Sequence, residues 1–260
     1  MPIQISIITA VYNRCETVGQ AVRSVQAQTH GNVQHVVVDG ASKDGTLHVL
    51  KDLLPPTAVL VSEPDEGIYD ALNKGIALSS GDVIGVMHSD DFFADERVLE
   101  DVAAAFSDPA VDAVYGDLDY VSGRDTSKIV RHWRAGQYVR ERLAWGWMPP
   151  HPTLFVRRHV IERWGGYDTR YRISADYDCI LRYFGQGQVR PAYLPRVLVK
   201  MRVGGESNAS LLKIVRKSWE DWRAMRGNRI GNLGGVGSLV WKNLSKVRQF
   251  ERLPKALPRA

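Results

Sequence analysis

The chain has 260 residues, of which 44% are hydrophobic and 24% charged, a composition typical of a folded α/β protein with a full core. Its two cysteines, Cys15 and Cys179, exclude a disulfide framework or a cysteine-rich zinc cluster and favour a reducing compartment. We see neither a secretory signal nor an apolar run of the roughly 20 residues that span a membrane, so we expect a cytoplasmic protein, soluble or peripheral at the inner face of the cell membrane.

The first half of the chain alternates β-branched apolar runs with segments of helical periodicity. This alternation predicts an α/β fold with an open, mostly parallel central sheet flanked by helices. The predicted strands cover 5–11, 33–40, 57–63, 81–87 and 111–117, and the predicted helices cover 16–28, 42–54, 67–80 and 95–106.

The second half is less regular. Residues 120–150 contain three tryptophans and predict a connecting region or lid. Further elements are a strand at 151–158, a helix at 176–184, a last strand at 197–205 and a helix from Ser207 onward.

The net charge of +5 belongs to the end of the chain. Residues 211–260 hold 12 Lys and Arg against 3 Asp and Glu, whereas residues 1–210 hold 22 against 26. We therefore divide the chain into a domain over 1–210 and a basic helical C-terminal extension over 211–260, which predicts an anionic partner. Within it, the amphipathic segment 239–253 fits two interpretations: a helix on an anionic membrane, or a helix packed on the domain.

Polar residues follow three predicted strands directly. Asn13 and Arg14 come after the first strand, Asp39 after the second, and Asp90 with Asp91 after the fourth. The carboxyl ends of parallel strands meet at one edge, where open α/β sheets bind their ligands. We therefore expect a ligand site at this edge.

The acidic residues at this edge allow two interpretations each. Asp90 and Asp91 could bind Mg²⁺ or Mn²⁺, which prefer oxygen ligands and would neutralise a diphosphate leaving group, or they could cap the next helix. Asp39 could accept a hydrogen bond from a base or ribose, or could be the turn residue before Gly40.

Residues in the second half also allow two interpretations. Asp176, at the start of a predicted helix, could cap that helix or act as a general base on an acceptor hydroxyl. His151 could contact a sugar or form a structural hydrogen bond, and Trp145 and Trp147 could stack on sugar rings or fill the core.

Five segments occur together in an order that resembles the family 2 glycosyltransferases with the GT-A fold. The resemblance covers residues 3–205 and is greatest to bacterial enzymes that build surface polysaccharides. The segments are TAVYNR (9–14), VVVDGASKDGT (36–46), EPDEGIYDALNKGIALSSGD (63–82), HSDD (88–91) and ADYDCILR (175–182).

The resemblance implies an inverting transfer from a UDP-, GDP- or dTDP-sugar to a hydroxyl of a saccharide or lipid-linked saccharide. It implies Mn²⁺ or Mg²⁺ as cofactor, Asp90 and Asp91 as the metal-binding acids, and Asp176 as the catalytic base. The nucleotide-sugar-binding residues that it implies are Thr9, Ala10, Tyr12, Arg14, Asp39, Asn73, Lys74, Asp90 and His151.

Two positions depart from the family pattern. His88 stands where the family often has an acidic residue, which leaves open whether Asp90 or Asp91 is the direct metal ligand. Ala175 stands where a glutamate often precedes the base, so a neighbouring negative charge is absent.

Two other functions stay open on the sequence. A sugar-phosphate nucleotidyltransferase would use a metal and a nucleotide on a similar sheet, although TAVYNRCET lacks the glycine-rich basic loop of that class. A non-enzymatic nucleic-acid-binding protein would fit the positive charge, but that charge is concentrated after residue 210 and no known nucleic-acid module is present, so we expect no nucleic-acid partner.

Overall fold

The computed structural model describes residues 3–187, 189–203 and 211–230. The strands are β1 (Ile5–Val11), β2 (Val33–Asp39), β3 (Val59–Ser62), β4 (Val83–Val86), β5 (Phe92–Phe93), β6 (Ala113–Val121), β7 (Ile129–Trp133), β8 (Phe155–Arg157) and β9 (Pro191–Arg202). The helices are α1 (Val18–Gln26), α2 (Thr46–Leu53), α3 (Ile68–Leu78), α4 (Val98–Ala105), α5 (Arg158–Trp164), α6 (Ala175–Ile180) and α7 (Leu211–Gly227).

The strands form one mixed sheet in the order β3-β2-β1-β4-β8-β6-β9-β5, with β7 paired to β6. The predicted parallel pairing holds for β3, β2, β1 and β4, in which Ile5 lies opposite both Val33 and Val83. Beyond β4 the pairing changes: β8 is antiparallel to both β4 and β6, whereas β6 and β9 are parallel. The parallel half carries the predicted ligand-binding edge.

The central parallel strands β1 and β4 are buried on both faces, which explains their continuous apolar sequence. All seven residues of β1 are buried, and neighbouring side chains point to opposite faces. Ile7 packs in one core cluster with Val98 and Leu99 of α4, and Ile8 packs in another with Leu72 of α3. Helices therefore cover both faces of the sheet, as predicted.

Several elements of the second half differ from the sequence predictions. The predicted strand at 151–158 is a 3₁₀ turn over His151–Thr153 followed by the short strand β8, because Pro150 and Pro152 have no N–H for a strand ladder. The connecting region contains β7, and the last strand begins at Pro191, six residues earlier than expected. The sequence analysis missed β5 and α5, and the final residues of the predicted strand, 204 and 205, lie outside the described part of the chain.

Helix α7 packs on the same core as the sheet. Its Ala224 and Met225 are fully buried in the cluster that contains Ile8 and Tyr177. The predicted boundary at residue 210 stays a prediction, and the predicted segment 239–253 lies outside the described residues. In the part of the chain that is described, the structure contains no helix with the length and apolar character needed to cross a membrane.

Candidate active site

The carboxyl ends of three neighbouring strands form the edge where the sequence predicts a ligand. β1 lies between β2 and β4 and is parallel to both. Tyr12, Asp39 and residues 88–91 therefore come at the same edge of the sheet. This position is the usual ligand site of an open α/β sheet.

Asp39 is fully buried at the end of β2. The hydroxyl of Ser62 donates a hydrogen bond to its Oδ2 at 2.6 Å, and the N–H of Ser42 donates to the same oxygen at 3.2 Å. A buried carboxylate needs such donors. These contacts show that Asp39 holds the turn after β2, and they place its carboxylate next to the predicted nucleotide edge.

The turns after β1 and β2 bring an aromatic ring close to an acidic side chain. Tyr12 is 54% exposed, and a Cβ atom added to Gly40 would lie 2.4 Å from Oδ2 of Asp65 and 3.4 Å from the Tyr12 ring. A side chain at position 40 would therefore displace the carboxylate of Asp65. Asn13 adopts a φ of 50° and accepts the N–H of Lys43 at 2.9 Å, which fastens the two turns together.

The acidic pair after β4 has one buried and one half-buried member. Asp91 is 1% exposed, its Oδ1 accepts the N–H of Arg202 at 3.2 Å, and its Oδ2 is buried without a hydrogen-bond partner among the described residues. The guanidinium of Arg202 donates to the backbone oxygen of Asp90 and to the side chain of Gln20. Burial, reinforced by the charge of Asp90, raises the pKa of Asp91 well above its usual range, although Arg202 opposes the shift.

These two carboxyl groups fit a hard divalent cation. An orphaned buried oxygen and an adjacent half-buried carboxylate offer the oxygen donors that Mg²⁺ and Mn²⁺ prefer. Within the described residues, no group of three or more His, Cys, Asp and Glu could hold a metal ion.

The half-buried Asp176, near the start of α6, is the first member of a connected polar cluster. The hydroxyl of Tyr69 donates to the backbone oxygen of Ile173 at 2.6 Å and to Oδ1 of Asp176 at 3.3 Å. The Tyr69 ring stacks on that of Tyr167 with 5.6 Å between centroids, and the Tyr167 hydroxyl lies 2.8 Å from Nε2 of His151. Asp176 is thereby linked to His151.

His88 completes this cluster and connects it to the acidic pair. The rings of His88 and His151 lie 5.7 Å apart between centroids. Burial lowers the pKa of His88, while the charges of Asp90 and Asp176 both act to raise it. Burial also lowers the pKa of His151, to about 4, against the opposing charge of Asp176. The structure thus brings Asp90 and Asp176 to one cluster.

Comparisons with known proteins decide the family. A family model described as Glycosyl transferase family 2 matches residues 6–163. The chain belongs to glycosyltransferase family 2. An uncharacterized glycosyltransferase of Mycobacterium tuberculosis is 34% identical over 186 residues, which cover 68% of each chain. A PGL/p-HBAD biosynthesis glycosyltransferase of Mycobacterium bovis is 31% identical over 208 residues, which cover 78% of each chain.

Solved structures share the GT-A fold of this glycosyltransferase. S. aureus TarS 1–349 in complex with UDP-GlcNAc has a TM-score of 0.67 and 17% identity, over 87% of this chain and 65% of the other. A mannosyltransferase of Pyrobaculum calidifontis in complex with GDP-Man and Mn²⁺ has a TM-score of 0.66 and 18% identity, over 98% of this chain and 77% of the other. The chain spans 46% of the length of the longer TarS structure.

Three residues of the first predicted motif, Thr9, Ala10 and Arg14, differ in burial and in contacts. Thr9 and Ala10 are buried in β1, and Oγ1 of Thr9 lies 3.0 Å from Nε2 of His35, so both side chains face the interior. Arg14 donates to the backbone oxygen of Asn13 at 2.9 Å. Their contacts with a nucleotide stay predictions, and any contact of Thr9 or Ala10 with a nucleotide would involve the backbone.

The predicted residues of α3 already have protein partners. The Asn73 amide donates to the backbone oxygen of Tyr167 at 2.8 Å and accepts its N–H at 2.9 Å. Lys74 forms ion pairs with Glu63 at 2.9 Å and Asp70 at 3.4 Å. Both residues therefore have a structural role, and their predicted contact with the donor stays a prediction.

The two tryptophans before His151 differ in burial and in contacts. Trp147 donates from Nε1 to the backbone oxygen of Ala135 at 2.9 Å and packs edge-on against the buried Tyr115. This is the core-filling role that the sequence left open. Trp145 is 58% exposed.

Sequence reasoning missed two members of the cluster, Tyr69 and Tyr167. A signal was present for Tyr69, because it precedes Asn73 by four residues on α3 and therefore lies on the same helix face. Tyr167 follows Gly165 and Gly166 in a loop, and no local pattern singles it out. Its role depends on the fold.

Proposed function

We propose that the protein is an inverting glycosyltransferase that moves a sugar from a nucleotide-diphosphate sugar to a hydroxyl of a saccharide or lipid-linked saccharide. One observation carries the proposal: contacts through Tyr69, Tyr167 and His151 connect Asp176 to His88, and His88 precedes Asp90 by two residues. An acid that binds the metal and a base that activates the acceptor must reach opposite sides of one anomeric carbon. Their connection through a single cluster supports these two roles.

The nucleotide of the donor would lie at the edge formed by β1, β2 and β4. The exposed ring of Tyr12 offers a surface for the base, and the half-buried Asp65 offers an acceptor for its N–H groups or the ribose hydroxyls. The fully buried Asp39 would act by holding the turn after β2, and its direct contact with the nucleotide stays a prediction. The two similar structures were solved with UDP-GlcNAc and GDP-Man, which supports a UDP-, GDP- or dTDP-sugar as donor.

Asp176 would act as the general base. It takes the proton of the acceptor hydroxyl while the acceptor oxygen forms a bond to the anomeric carbon and the bond from that carbon to the diphosphate breaks. Attack from the face opposite the leaving group inverts the anomeric configuration. Tyr69, by donating to Oδ1 of Asp176, holds the carboxylate in a defined orientation.

We assign Asp90 as the direct metal ligand and Asp91 as a supporting acid. Asp90 is half-buried, whereas Asp91 is 1% exposed and its Oδ1 accepts the backbone N–H of Arg202. Mn²⁺ or Mg²⁺, when bound there, would neutralise the departing diphosphate.

The test of the base is Asp176→Asn, measured by donor binding and by transfer on a panel of UDP-, GDP- and dTDP-sugars with Mn²⁺ or Mg²⁺. We expect unchanged donor affinity and a loss of transfer of about 10²- to 10⁴-fold. Asp168→Asn is the matched control, since Asp168 pairs with the exposed Arg170 outside the cluster. Normal transfer by Asp176→Asn, or retention of the anomeric configuration in the product, would contradict the mechanism.

The acceptor that we propose is a saccharide of surface polysaccharide biosynthesis, either free or linked to a lipid. Relatives named for PGL/p-HBAD biosynthesis support a biosynthetic transfer. A lipid-linked acceptor would suit peripheral membrane contact through the basic residues 211–260, which co-sedimentation of the full chain with anionic vesicles measures. Release of pyrophosphate from a sugar phosphate and an NTP would instead favour a nucleotidyltransferase.

A further inference from the structure

Helix α7 places a buried acid against the segment that leads to Asp176. Glu220 is 2% exposed, and an anionic side chain is buried at large free-energy cost unless donors surround it. Both α7 and Asp176 lie beyond residues 6–163, the part that the family model matches.

The donors to Glu220 are three consecutive backbone N–H groups and one guanidinium. Oε2 accepts the N–H of Ile173 at 2.8 Å and that of Ser174 at 3.0 Å. Oε1 accepts the N–H of Arg172 at 3.2 Å and Nε of Arg216 at 3.0 Å. Burial acts to raise the pKa of Glu220, but these donors outweigh it and leave the pKa below its ordinary value, so the carboxylate is ionised at neutral pH.

The residue before α6 does not satisfy these backbone N–H groups with its own side chain. Ser174 precedes the helix, but its side chain makes no capping hydrogen bond, and its Oγ is buried without a partner among the described residues. The N–H groups that precede α6 are therefore satisfied from a different helix, 46 residues away along the chain.

The same peptide is held from its other side by Tyr69. The N–H of Ile173 is bound to Glu220, while its backbone oxygen accepts the hydroxyl of Tyr69 at 2.6 Å. The Tyr69 hydroxyl also reaches Oδ1 of Asp176 at 3.3 Å. Residues 172–174 are thus held between α3 and α7, two to four residues before Asp176.

We propose that Glu220 is a positioning residue for glycosyl transfer: it fixes the backbone of residues 172–174 so that Asp176 is aimed at the acceptor hydroxyl. This inference rests on the proposed function, in which Asp176 is the base. The role of Glu220 makes helix α7 part of the active site. Misplacing a catalytic group by about 1 Å lowers a rate by about 10²-fold.

The experiment compares Glu220→Gln and Glu220→Ala in the full chain with the matched control Glu100→Gln. The glutamine keeps the size of the side chain but replaces one acceptor oxygen with an NH₂ group, and Glu100 lies on α4, where it pairs with Arg97 at 3.3 Å outside the cluster. We expect kcat to fall about 10- to 100-fold in Glu220→Gln with unchanged donor affinity and unchanged donor KM, and no change in Glu100→Gln.

A double variant separates positioning from general damage. Adding Glu220→Gln to Asp176→Asn should cause no further loss of transfer. A contact that acts only by orienting Asp176 has no effect on the rate once the base has been removed. Glu220→Asp, which keeps the charge but shortens the side chain, should show the same split between kcat and donor KM and serves if Glu220→Gln and Glu220→Ala do not fold.

The outcomes are distinguishable. A folded Glu220→Gln with normal kcat overturns this inference and leaves the proposed function intact if Asp176→Asn is inactive. A parallel loss of donor affinity also overturns it, because the carboxylate would then support the whole site. Normal transfer by Asp176→Asn overturns the proposed function itself.

Discussion

His35 makes the stability of the protein depend on pH in a defined window. It is 6% exposed on β2, its Nε2 lies 3.0 Å from Oγ1 of Thr9, and its Nδ1 has no partner among the described residues. Protonation would place a positive charge and an unpaired N–H in the core. Burial accordingly lowers the pKa of His35 from 6.5 to about 4.

The magnitude follows from linkage between protonation and folding. Between pH 6.5 and pH 4 the unfolded chain binds a proton at His35 that the native protein does not bind, so stability is complete above pH 6.5 and falls as the pH is lowered towards 4. At about 1.4 kcal/mol for each pH unit of that window, the loss is about 3 kcal/mol.

The assay is urea unfolding at a series of pH values from 7.5 to about 4, with His35→Gln as the variant. Glutamine does not titrate, so we expect the free energy of unfolding of the variant to fall less steeply with decreasing pH. His48→Gln is the control, because its ring is solvent-exposed and lies 3.4 Å from Asp52. Identical pH dependence of His35→Gln and the wild type would refute the reasoning.

Three further predictions concern the core and the metal-binding acids. Gly75→Ala should lower the free energy of unfolding by about 1–3 kcal/mol in urea, because the new Cβ would lie 2.3 Å from Cγ2 of Ile8. Asp90→Asn should abolish the rise in Tm that Mn²⁺ and a nucleoside diphosphate produce together, whereas Asp91→Asn should only reduce it; the reverse order would make Asp91 the direct ligand. Arg202→Met should weaken metal-dependent donor binding in calorimetry, because it releases the backbone of Asp90, and unchanged affinity would contradict this.

Much of the parallel half of the sheet could be predicted from the sequence because its signals are local. The run ISIITAV is a buried strand because every residue is apolar or small, and the structure places β1 over the same residues. The positions of Asp39 and Asp90 at one edge follow from the same pattern, since parallel strands end on the same side. The family could be inferred as well, because its motifs are short segments of fixed order.

Pairings across long stretches of chain were decided by the tertiary structure alone. Phe92 and Phe93 form a strand because β9 lies beside them, more than 100 residues later. Local propensity contains no information about such a neighbour.

The candidate site shows the same division. Residue type and spacing along the chain determined which acids could bind a metal or accept a proton, because the chemistry of a carboxylate is a property of the residue itself. Tertiary packing determined their states and partners: Arg202 meets Asp91 across 111 residues, and Glu220 meets Ile173 across 47. Burial and hydrogen bonding set the charge and orientation of a side chain, and both arise only when distant segments pack together.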